Sequence, residues 1–102
     1  MIARVWTART TPAQAPAYAD HLRARVLPQL RALDGYAGAW LLRRDAGGGS
    51  ELIVVTRWRS TQAVHAFAGA DVDAAVVEPE AAALLSRYDT RVRHYEIVVD
   101  DG

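Results

Sequence analysis

Three observations predict an α+β protein. Apolar and alternating runs of strand length occur near both ends of the chain and twice in its middle. Helical spacing follows the first and third of these runs, and a glycine-rich tract of hairpin length joins the second to the third. The organising stretch is Glu51 to Phe67, ELIVVTRWRSTQAVHAF, a buried strand running straight into a helix.

Taken in order, Ile2 to Arg9 alternates, with Ile2, Arg4, Trp6 and Ala8 on one face and Ala3, Val5, Thr7 and Arg9 on the other. Thr11-Pro12-Ala13-Gln14 is a helix start: Thr11 caps, Pro12 suits the first turn, and Gln14 completes a capping box. The helix is predicted to run to about Leu33, with Tyr18, Leu22, Val26, Leu30 and Leu33 on its buried face. Pro28 lies inside it and should kink it near Ala24 to Val26. Asp34-Gly35 stops it, with Gly35 taking the left-handed conformation. Tyr36 to Arg44 is the second strand, centred on Trp40, Leu41 and Leu42.

Asp45 to Ser50 lacks the Lys-Ser/Thr ending of a phosphate loop and joins two strands, so it is a hairpin connection. The third strand carries Leu52, Ile53, Val54 and Val55, apolar on both faces, and Ser60 caps the helix after it. That helix spans Thr61 to Ala68, turns Val64, Phe67 and Ala68 inward, and stops at Gly69. Asp71 to Val77 and Glu80 to Arg87 are predicted as two short helical pieces divided by Pro79. Thr90 to Val99 is the last strand, followed by a frayed tail, with Val92, His94, Glu96 and Val98 sharing a face.

The order β-α-β-β-α-β is that of a ferredoxin-like, split βαβ fold: a four-stranded antiparallel sheet with its helices on one face. The other face still carries Ile53 and Val55. A second copy packed sheet against sheet would cover them, so a homodimer is expected.

The chain has 102 residues and is read as one domain, residues 1–102. Its 12 basic residues, all Arg, balance 12 acidic ones, which argues against nucleic acid as a partner. Heavy use of Ala and Arg without Lys or Asn is read as the mark of a GC-rich, bacterial genome. The chain has no Cys, hence no disulfide, thiolate metal site or cysteine nucleophile. No stretch reads as a signal peptide or a membrane span, so a cytoplasmic protein is expected. The three histidines lie on three different elements at no metal-binding spacing, and Ser60 and Ser86 have no His-Asp arrangement near them.

VVTRWRSTQAVHAF resembles the strand-to-helix segment W-x-S-x-x-A of antibiotic-biosynthesis monooxygenase-like proteins, which form dimeric α+β barrels. Leu33-Asp34-Gly35-Tyr36 is similar to that family's turn before the second strand, and LLSRYD and HYEIVV fit its closing helix and strand. The resemblance implies either cofactor-free oxygenation of polycyclic phenols or heme degradation. For the first it implies an Asn four residues before the strand Trp and a Tyr six after it. Trp58 matches the Trp, but Val54 and Val64 stand at the other two positions. For the second it implies an Asn in the first strand, a Trp where Phe67 stands and a His near Val77. Neither set is complete.

The candidate site is therefore assembled from other residues. His94 is the candidate base, since histidine exchanges protons near neutrality, with Glu96 to orient it. Arg4 is the candidate anion stabiliser, and Trp58, Trp6, Val54, Val64 and Phe67 are the candidate apolar walls for a small aromatic or hydrophobic molecule. Each has a bland alternative: Trp58 as core, His94 satisfied by a neighbour at the sheet edge, Arg4 paired with Glu96. His21 is read as a surface residue and His65 as solvated or at a cleft rim, while Tyr18, Tyr36, Tyr88 and Tyr95 are candidate hydrogen-bonding pocket residues with no basis for choosing among them. Two functions are carried forward, a cofactor-independent monooxygenase of a phenolic or quinol-type compound, and a non-catalytic dimeric barrel that binds a hydrophobic metabolite or is structural only.

Overall fold

A computed structural model describes all residues, 1–102. Strand β1 (Ile2–Thr10) is followed by α1 (Ala15–His21), a π turn (Leu22–Val26) and α2 (Leu27–Arg31). Then come β2 (Tyr36–Ala46), β3 (Gly49–Trp58) and α3 (Thr61–Ala68). The chain ends in α4 (Pro79–Ala82), β4 (Arg87–Tyr88) and β5 (Arg93–Glu96). The sheet is antiparallel in the order β2-β3-β1, with β4 and β5 both paired to the far side of β1. This is the ferredoxin-like arrangement, with its fourth strand in two pieces.

Local chemistry explains most element boundaries. The Thr11 hydroxyl accepts from the Gln14 N–H at 3.1 Å and closes the turn before α1. Pro28 has no N–H to give the Ala24 carbonyl, so the helix widens one turn earlier and the Leu27 N–H reaches back to the Leu22 carbonyl. Leu22, Val26 and Leu30 stay on one face across this π turn. Gly35 has φ of 88°, and a Cβ there would lie 2.5 Å from that of Ala63, so no other residue fits without movement. The β2–β3 hairpin turns on Gly47 and Gly48, both at positive φ, which matches the right-handed strand twist. The Ser60 hydroxyl accepts from the Ala63 N–H at 3.1 Å, capping α3.

β3 alternates without exception. Ser50, Leu52, Val54, Thr56 and Trp58 are buried under the helices, while Glu51, Ile53, Val55 and Arg57 face outward and are half-buried. Two apolar clusters fill the space beneath the helices. One gathers Tyr18, Leu52, Val54 and Ala81; the other gathers Leu30, Trp58, Ala63 and Val64.

Three expectations fail near the C-terminal end. Asp71 to Val77 is not helical: a turn closed by the Ala74 N–H on the Asp71 carbonyl leads into a strap that bridges Ala74 to Arg91 and donates the Ala75 N–H to the Thr90 carbonyl. The helix expected over Glu80 to Arg87 is the single turn Pro79–Ala82. The last strand does not run unbroken from Thr90 to Val99 either. It starts at Arg87, stays bonded to β1 through the Asp89 N–H on the Thr7 carbonyl, turns to the strap over residues 90–92, and rejoins β1 at Arg93. Val98 and Val99 lie beyond it, more than four-fifths exposed.

Candidate functional site

Between the two clusters lies a cavity of about 70 Å³, walled by Arg4, Trp6, Val54 and Thr56 from the sheet. Tyr18, Leu22, Val26 and Leu30 close it from the first helical stretch, Phe67 from α3, and Val76 and Val77 from the strap. It is mostly apolar and has room for about two waters. That volume is far below the roughly 300 Å³ at which pockets for organic ligands begin.

Arg4 is the charged group on this wall and is 4% exposed. Its Nη1 donates to the Val72 carbonyl and lies 3.0 Å from His94 Nε2, while Nη2 donates to the Ala74 carbonyl at 2.7 Å. Its guanidinium stands 5.5 Å from the centre of the Phe67 ring. Burial pushes the Arg4 pKa below the usual arginine range, and the charge of Asp73 opposes that shift. No carboxylate touches it directly. Its partners are neutral, so part of its charge is uncompensated at the edge of the cavity.

His94 stands opposite Arg4 in the β1–β5 register. Because an arginine N–H can only donate, His94 Nε2 accepts. The proton of the neutral ring is therefore on Nδ1, which donates to Asp73 Oδ1 at 3.1 Å. The chain Asp73–His94–Arg4 thus replaces both pairings expected from the sequence. Glu96 lies opposite Ile2 and orients neither group.

The expected site residues divide. Arg4, Trp6, Val54 and Phe67 line the cavity. His94 lies behind Arg4, and with Val64 and Asp73 it borders a separate cleft of about 230 Å³. Trp58 reaches neither space. It is fully buried, donates to the Thr56 hydroxyl at 2.8 Å, stacks on Phe67 at 5.3 Å and meets Tyr36 edge-on at 5.6 Å. It is a core residue, and Phe67 presents the aromatic surface that Trp58 was expected to supply. His21 is also more buried than expected. Its side chain is 8% exposed, with Nε2 unbonded and 3.8 Å from a Glu78 oxygen. His65 is exposed and faces the Gly69 carbonyl.

Two residues enter the site that sequence reasoning did not select. Asp73 was placed in a helix that does not form. Tyr18 was one of four tyrosines weighed as hydrogen-bonding pocket residues with no basis for choosing among them, and of the four it is the one on the cavity wall, 4% exposed. Burial alone pushes its pKa up to about 12.

A ferredoxin-like sheet covered by helices, with a small apolar cavity between them holding one cation, defines a class of small-molecule-handling α+β proteins. Residues 1–79 match the family model described as antibiotic biosynthesis monooxygenase. The chain belongs to that family. No curated protein sequence matches. Among solved structures it is similar to a heme-degrader from Mycobacterium tuberculosis with two hemes bound in its active site, at 24% identity and a TM-score of 0.63, over 100% of both chains. A Bacillus cereus protein assigned to the antibiotic biosynthesis monooxygenases superposes with a TM-score of 0.71 at 14% identity, over 100% of this chain and 95% of its own. A Streptomyces coelicolor monooxygenase in complex with nanaomycin D gives a TM-score of 0.56 at 20% identity, over 92% of this chain and 82% of its own. These likenesses establish the fold. Of the side chains that ligate heme iron the cavity wall carries one tyrosine, Tyr18, and no His, Met or Cys.

Proposed function

We propose that this protein is a cofactor-independent monooxygenase of a small phenolic or quinol-type aromatic compound, working as a homodimer. The observation that carries the reading is Arg4, a buried cation with no direct carboxylate partner on the wall of an apolar cavity. A phenolate brought there would supply the missing anion and gain charge-assisted hydrogen bonds in a water-poor space.

The His94 pair gives this chemistry a base. His94 does not line the cavity, so when a phenol oxygen takes over Nη1 of Arg4 the guanidinium must turn aside before Nε2 of His94, freed from it and held in the right tautomer by Asp73, can accept the phenol proton. The phenolate then passes one electron to O₂, and the radical pair joins at a ring carbon bearing hydrogen to form a hydroperoxide. Breaking its O–O bond with loss of that hydrogen leaves a ring carbonyl and releases water. One phenol and one O₂ give one quinone and one H₂O, so no external reductant enters. The family's description as monooxygenases and the nanaomycin-bound neighbour support an oxygenase of a small organic substrate. Substrate entry requires the cavity to enlarge, and the strap that carries Val76 and Val77 is the wall without helix or strand structure.

The test is oxygen uptake by the purified protein with a panel of anthrols and hydroquinones. Uptake of one O₂ per quinone formed is expected, with His94→Ala slowing it by about 10²-fold or more. Uptake no faster than autoxidation, or an unaffected His94→Ala variant, would exclude the reading. Val54 and Val64, apolar where the family's polar groups are implied, favour the second reading, a binder of a hydrophobic metabolite without turnover. Binding without oxygen uptake in the same panel is its signature.

A further inference from the structure

The proposed reaction brings two molecules to the cavity, a phenol and O₂, and the space as it stands is the wrong size for the first. At about 70 Å³ it holds no aromatic ring, since even benzene takes an apolar cavity of roughly 150 Å³. Its lining is selective too. Eleven of its 13 lining residues are hydrophobic, and Arg4 and Thr56 are the exceptions. Both are engaged. The Arg4 guanidinium donates to two carbonyls and lies against His94, and the Thr56 hydroxyl accepts from Trp58. Such a wall gives a water few of the roughly two to four polar partners it needs, and it suits a small apolar molecule instead.

We infer that this cavity is the dioxygen site. O₂ is an apolar diatomic, and the space already present admits it without movement of any wall. A cavity for an inert gas would have no use for a buried cation. O₂ has one as soon as it reacts. The electron that leaves the phenolate produces a phenoxyl radical and superoxide, and the charge of Arg4 stabilises that superoxide in a water-poor space. The negative charge passes from one oxygen species to the other beside the same cation, so it stays paired through the step. The phenol ring takes the room that opens when the strap with Val76 and Val77 moves, and O₂ takes the room that exists. This site rests on the oxygenase reading and adds to it the position of the co-substrate.

The test needs neither phenol nor turnover. Dissolved O₂ is paramagnetic and speeds the relaxation of methyl groups beside it, so methyl NMR of the purified protein is compared under pressures of N₂ and of O₂. Leu22, Leu30 and Val54 are buried and line the cavity, while Leu52 is buried and does not. The O₂-induced relaxation of the three lining residues is expected to exceed that of Leu52 by about threefold or more. Val54→Ile adds a methyl group to the wall and is expected to reduce the effect at Leu22 and Leu30 by about half. Circular dichroism verifies its fold, and Val77→Ile, on the strap, repeats the measurement if Val54→Ile does not fold. Equal relaxation at lining residues and Leu52, or no reduction in a folded, filled variant, would overturn the gas site. Oxygen uptake with phenols but no gas at these methyls would overturn this site alone and leave the oxygenase reading standing. Gas at these methyls without uptake for any phenol would overturn the assignment of the site to this reaction, together with the oxygenase reading.

Discussion

Arg4 and Tyr18 are buried polar residues with opposite histories in the sequence. Arg4 was legible because strict alternation in β1 put a cation on the covered face. Its partner was not, because register between distant strands is not written in either strand alone. A shift of two residues separates the expected Glu96 from the actual His94. Tyr18 obeyed the helical spacing of a core position and was also one of four tyrosines open to a pocket role; Leu22 lines the same cavity, so its hydroxyl is what sets Tyr18 apart. The phenol also has a stability consequence. Its pKa is near 10 when unfolded and about 12 when folded. Below pH 10 both states hold the proton and the full stability is present. From there to pH 12 the unfolded chain releases the proton while the folded one keeps it, so stability falls as pH rises. Two pH units correspond to roughly 2–3 kcal/mol. Urea denaturation across this window should show the wild type losing that much more than Tyr18→Phe. Parallel curves for the two proteins would show the hydroxyl to be solvated in the fold.

At the scale of elements, the strap was the main misreading. Asp71 to Glu78 has helix-forming composition, but its N–H and C=O groups are drawn off into tertiary bonds. Ala75 donates to Thr90, Asp73 accepts from Val92, and the carbonyls of Val72 and Ala74 accept from Arg4. Tertiary partners outweigh propensity here. The same exchange breaks the fourth strand, whose residues 90–92 leave β1 to meet the strap. Arg4 is therefore a latch as well as a charge, and the solvent-exposed Arg91–Asp71 pair is a second and weaker tie. Arg4→Met leaves two carbonyls and a histidine nitrogen without a donor. It should lower stability by roughly 2–4 kcal/mol and speed amide exchange at Ala75 and Val92 at least tenfold relative to the core of β3. Asp71→Asn should leave both amides near their wild-type rates. Unchanged exchange at these amides in Arg4→Met would mean that the strap is held by its backbone bonds alone.

At the scale of the whole molecule, the element order and the covered face were readable because alternation and helical spacing are local properties of the chain. The outer face was readable for the same reason. Val55 lies at its centre, paired with Val5 on one side and Trp40 on the other. Ile53, Leu42 and Tyr95 extend the apolar area, and Trp40, Leu42 and Tyr95 are each about half exposed. Arg9, Arg44 and Glu51 border one end, and Arg57 with Asp100 the other, which gives an apolar centre inside a charged rim. Arg57 also covers the Trp40 ring at 4.9 Å, and its buried Nε has no partner within the chain. A second copy related by a two-fold axis would meet this face with the same face, so one substitution acts on both sides of the contact. Val55→Glu places two carboxylates in the middle of that interface while leaving the cavity face of β3 untouched. Light scattering at low micromolar concentration should find the wild type as a dimer and Val55→Glu as a monomer with an unchanged circular dichroism spectrum. A wild type that is monomeric under those conditions would remove the argument, because the apolar outer face would then be stable in water without a partner.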